Sequence, residues 1–116
     1  MNPSDIESEA EIASLKLKLE ASLHSKILLK DAIKTLEASK KDNPDHASID
    51  ASIARLKDVI AGDYSAIRKI QEKLLGIFER RAHPEHVDRV NHLTVEAEER
   101  VKRAVATAGK RPRGGV

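Results

Sequence analysis

The sequence predicts an all-α protein, a long antiparallel helical hairpin of coiled-coil type with a shorter third helix, assembling into a helical bundle. Three observations carry this expectation. Isoleucine and leucine recur at alternating spacings of three and four along two long segments. Proline is absent from the interior of both segments, and a short Asn-Pro turn joins them.

The chain has 116 residues, which suits one domain. Tyr64 and Phe78 are its only aromatic residues, and tryptophan is absent. The core must therefore be built from Ile, Leu, Val and Ala on helical seams. The lack of cysteine excludes a disulfide framework and any thiolate nucleophile or metal site. No run approaches membrane-spanning length, and the acidic opening with Asp5, Glu7, Glu9 and Glu11 is unlike a secretory signal, so a cytoplasmic protein is expected.

The first helix is expected over about 4–40. Ser4 and Glu7 fit a capping box, in which each side chain satisfies the other's free backbone amide. Ile12, Leu15, Leu19, Leu29, Ile33 and Leu36 form its seam, which lands on Ser22 and Lys26 at its centre. Leu23, Ile27, Leu28 and Leu29 spread around most of the circumference, more than a single neighbouring helix can hide.

The stretch KKDNPDH at 40–46 reads as the turn, with Asn43 as N-cap and Pro44 as first helical residue of the next element. That second helix, about 44–82, carries Ile49, Ile53, Leu56, Ile60, Ile67, Ile70, Leu74 and Ile77 and misses its seam only at Asp63. A turn centred near Asn43 makes residues whose numbers add to about 86 or 87 face each other. Asp63 then lies at the height of Leu23 and His24. Ser22, Lys26 and Asp63 are expected to form a polar layer, flanked by His24 and Tyr64, that fixes the register or holds a small ligand. Gly62 and Gly76 share a face with several alanines, which invites the close approach of another helix, and Gly62 is also a possible hinge.

The third helix, about 84–108, has a narrow apolar stripe of Val87, Val90, Thr94, Ala97, Val101 and Ala104 or Val105. Glu96–Arg100, Glu98–Lys102 and Glu99–Arg103 are favourable pairs one turn apart. Residues 1–108 make the helical domain, and 109–116 are a basic tail expected to be disordered.

These features favour a non-enzymatic function. There is no phosphate loop, nucleophile elbow or metalloprotease motif, and a narrow hairpin offers no obvious substrate pocket. No cofactor is implied. His83, His86 and His92 with Glu79, Glu85 and Asp88 match no established metal-ligand spacing, so no metal is expected. The reading that fits best is an oligomeric protein-binding module, an adaptor, chaperone or regulator that pairs with itself and with another protein. The alternative is a binder of nucleic acid or of a small anion such as a nucleotide. It would use Arg100, Lys102, Arg103, Lys110, Arg111 and Arg113, a basic run with no carboxylate among it, although the net charge is only +2.

Overall fold

The computed structural model describes the backbone of residues 3–81 and 85–109 and the side chains of 6–81 and 85–107. Its described residues form three helices and no strand: α1 (Pro3–Ser39), α2 (His46–Arg80) and α3 (His86–Gly109). The long dimension of 62 Å is set by α1 and α2, since 37 residues at the helical rise span about 55 Å. No described helix is long and apolar enough to cross a membrane.

Ion pairs near the two ends of the hairpin fix how α1 and α2 lie. Lys40 pairs with Asp50 beside the turn, and Arg81 Nη1 lies 2.8 Å from Glu9 Oε1 at the far end. In both pairs the residue numbers add to 90, which makes the helices antiparallel but shifts their register from the expected 86 or 87. The shift starts in the turn. Asp45, not Asn43, is the N-cap of α2, accepting at its side chain from Ser48 N at 3.1 Å. Asn43 Oδ1 instead accepts from Asp45 N at 2.9 Å, a local turn that leaves Pro44 outside the helix. His46 Nε2 lies 2.7 Å from Lys40 O and ties the two helix ends together. At the other terminus the helix already includes Pro3, so Ser4 sits within the first turn rather than at its cap.

α3 runs back from the end of α2 and packs in the cleft beside it. Gln71 Nε2 donates to Thr94 Oγ1 at 3.1 Å, Glu98 lies 3.7 Å from Lys26, and Arg100 pairs with Glu20. Of the expected one-turn pairs along α3, Glu98–Lys102 and Glu96–Arg100 give way to Glu98–Lys26 and Arg100–Glu20 between helices, while Glu96 pairs one turn back with His92. The stripe of α3 is narrower than expected as well. Val90, Ala97 and Val101 are buried and Val105 is half-buried, but Val87 is 53% exposed.

One core results, and it occupies only part of the hairpin. Ile12, Leu15, Leu19 and Leu23 of α1 meet Ile67, Ile70, Leu74, Ile77 and Phe78 of α2 under α3. Toward the turn, Ile49, Ile53 and Ile60 are buried between two helices alone, while the facing Leu29, Ile33 and Leu36 are only half-buried. α2 is an unbroken helix through Gly62, as the preserved spacing on either side of it favours over a hinge.

Candidate functional site

The register places the polar residues differently from the sequence expectation. With paired numbers adding to 90, Asp63 stands at the height of Ile27, and Ser22 at the height of Arg68. Ser22 therefore stands more than a turn away from Asp63, whereas Lys26 remains within one residue of its height. Among the described residues no hydrogen bond or ion pair joins Asp63 to Ser22 or Lys26, and Asp63 Oδ2 is closed off from solvent without a hydrogen-bond partner. No polar or charged residue is fully buried among those described. The expected layer is replaced by a single carboxylate lodged between Ile60 and Ile67.

Lys26 and Tyr64 do meet. The Lys26 ammonium lies 5.1 Å from the centre of the Tyr64 ring and that of Lys30 lies 5.5 Å away, both within cation–π range. Lys26, with its side chain only 14% exposed, runs its stem along the seam and delivers its charge to Tyr64 and Glu98 at the surface. Lys30 hydrogen-bonds the phenol and so holds the Tyr64 pKa below its ordinary 10.0, with burial opposing; the charges of Lys30 and Lys26 add to the lowering, and Glu98 opposes it. This cluster sits beside the middle of α3, where Glu98 reaches Lys26. Its phenol is half exposed to solvent. Such an arrangement can hold a shallowly bound anion; it has no means of excluding water from a reacting group. Lys30 and Glu98 were not found from the sequence. Lys30 stands one turn after Lys26 on the same face, a signal that was available, whereas Glu98 depends on where α3 docks.

His24 is not part of this cluster. It is exposed on the outer side of α1, in a shallow groove between α1 and α3 with Leu17, Ala21, Val101 and Ala104. Leu17 is 69% exposed there, the most exposed of the large apolar side chains described. At the basic end, Arg100 is tied to Glu20, while Lys102 and Arg103 are exposed; Lys110, Arg111 and Arg113 lie outside the described residues. His86 Nε2 lies 3.6 Å from Glu79, His92 Nε2 lies 2.9 Å from Glu96, and His83 lies outside the described residues. No three His, Asp or Glu side chains converge as metal ligands among those described.

The glycines mark a further surface. A Cβ placed on Gly62 would meet nothing within 4 Å, and one on Gly76 would meet only the end of the Arg80 side chain at 3.5 Å. α3 therefore does not fill the small-residue face of α2, although the sequence allowed for that. No family model matches the chain, and no curated protein or solved structure is similar to it.

Proposed function

We propose that this protein is a non-enzymatic helical module that associates with itself and docks another protein along its hairpin. The observation that carries the reading is the extent of α3. Its packing ends near Ile27, and from there to Ile60 the hairpin is a ribbon of two helices. On that ribbon Val59 is 51% exposed, and Gly62 faces open space. A helix laid across it would bury apolar surface that the described residues leave uncovered, the usual way an amphipathic helix meets a groove.

The alternative, binding of nucleic acid or a small anion, draws on Lys26 and Lys30 over Tyr64 and on the exposed Lys102 and Arg103. It has less support because Glu98 and Glu20 offset Lys26 and Arg100.

Affinity capture from the native host tests the docking reading, with wild type and Val59→Lys compared at equal helix content by circular dichroism. A protein retained by wild type and lost from Val59→Lys is the expected result. An identical set retained by both would remove the hairpin ribbon as the docking face.

A further inference from the structure

α1 buries one side and shows apolar residues on the opposite one. At 100° per residue, Ile6, Ala10, Ala13, Ala21, His24 and Leu28 all fall within about 40° of Leu17, whereas Leu15 and Leu19 point about 160° away into the core. Every residue of this outer row is exposed, with Ile6 at 56%, Leu17 at 69% and Leu28 at 48%. The row covers about 33 Å of helix. Among the described residues none covers it, and α3 borders it only along one side at Leu17, Ala21 and His24.

The row has a symmetry of its own. An isologous contact requires that residue i of one copy face residue j of the other and the reverse. Two α1 helices placed antiparallel, with Leu17 against Leu17, set Ala13 against Ala21, Ala10 against His24, and Ile6 against Leu28. Small residues then meet small ones next to the centre, and large residues close both ends.

The charges around the row follow the same centre. Glu7, Glu9 and Glu11 lie toward its first end. Arg100 pairs with Glu20 and Glu98 with Lys26, so the stretch of α3 bearing Arg100, Lys102 and Arg103 lies beside the second half of the row. α1 and α3 run in the same direction, so the acidic group lies before Leu17 and the basic group after it, beginning with Arg100 at the height of Glu20. A parallel pairing would bring like charges together; an antiparallel pairing lays the acidic end of each copy beside the basic end of the other. Near the axis Lys16 of one copy falls beside Glu20 of its partner, which offsets the repulsion among Lys16 and Lys18.

From this pattern we infer that two copies of the chain pair through the outer face of α1, antiparallel, about a two-fold axis at Leu17. The inference rests on the self-association reading above and gives it a surface.

The mass of wild type, Leu17→Glu and Leu17→Cys in solution tests it. Wild type should run at twice the chain mass. Leu17→Glu buries a carboxylate pair at the centre of the contact and should weaken the dimer by about tenfold or more while keeping its helix content, since Leu17 is exposed in the single chain. The chain has no cysteine, so mild oxidation of Leu17→Cys should give a covalent dimer and oxidation of Val59→Cys should not. A wild type that runs as a single chain would overturn both the self-association reading and this interface. A wild-type oligomer unchanged by Leu17→Glu, with Leu17→Cys remaining reduced, would overturn the interface alone.

Discussion

The two halves of the hairpin use the same residue types at the same spacings and end with different degrees of burial. In the half that α3 covers, Leu19 and Leu74 are wholly inaccessible, and Leu23 and Ile77 are at 1%. In the half that ends at the turn, Ile49, Ile53 and Ile60 keep between 6% and 8%, and no large side chain there is inaccessible. Two helices can shield a seam along one line only, and the third closes its open edge. A helical repeat in the sequence thus marks which residues face a neighbour, while the number of neighbours decides how dry the contact becomes.

The largest effect should come from truncating the two halves in turn. Leu19→Ala or Leu74→Ala leaves a cavity walled by three helices and should cost about 3 to 5 kcal/mol. Ile53→Ala lies between two helices with half-buried neighbours, where solvent reaches the gap and the side chains settle more easily, so about 2 kcal/mol or less is expected. Denaturant unfolding at one fixed protein concentration measures both, the concentration being held because self-association adds to apparent stability. Equal losses at the two sites would mean that something also covers the turn half in solution.

A smaller effect is expected at the boundary between the halves. Asp63 Oδ2 is cut off from water with no partner, so its position is a cost to the fold rather than a lock on register. Asp63→Leu should stabilise the chain by about 1 to 2 kcal/mol, because one carboxylate oxygen is closed off and Ile60 and Ile67 flank the site on the same face. Loss of stability in this variant would indicate that Asp63 has a partner, either a second copy or a bound protein.

Much of this was legible in the sequence and some of it could not be. The helical class, the three elements and seven of the eight seam residues of α2 follow from spacing alone, with Leu56 only half-buried. The turn misled by two residues. Asn43-Pro44 carries the signature of a cap followed by a first helical residue, yet Asp45 with Ser48 three residues on makes an equally good cap, and only the packing of the helix ends chooses between them. That small error moved every cross-helix pair and made the gaps at Ser22 and Asp63 seem to coincide. Lys26 lies beside Tyr64 because 26 and 64 add to 90, which sets the two residues at one height in the observed register. The extent of α3 was the least legible feature, since Val87 and Val95 look as apolar as Val90 and Val101 and differ only in which side of the helix finds a neighbour.

The smallest effect reads the same boundary through a single chromophore. Tyr64 is the only tyrosine and tryptophan is absent, so the rise of the tyrosinate band on alkaline titration reports this residue without interference. Hydrogen bonding from Lys30, aided by the charges of Lys30 and Lys26, should bring the midpoint below 10.0 in the folded chain. The sign for stability follows. A depressed phenol pKa favours the folded state where the phenol is ionised, so the contribution is fully present above pH 10.0, fades as pH falls through the folded value, and is absent at neutral pH. With Tyr64 half exposed, solvent screens the interaction and the contribution to stability is slight. The midpoint is the better observable. Lys30→Met should raise it more than Lys26→Met, since Lys30 supplies the hydrogen bond, and Glu98→Gln should lower it. A wild-type midpoint at or above 10.0 would mean that the two lysines do not flank the phenol, and that α1 and α2 meet in a register other than the one that pairs Arg81 with Glu9.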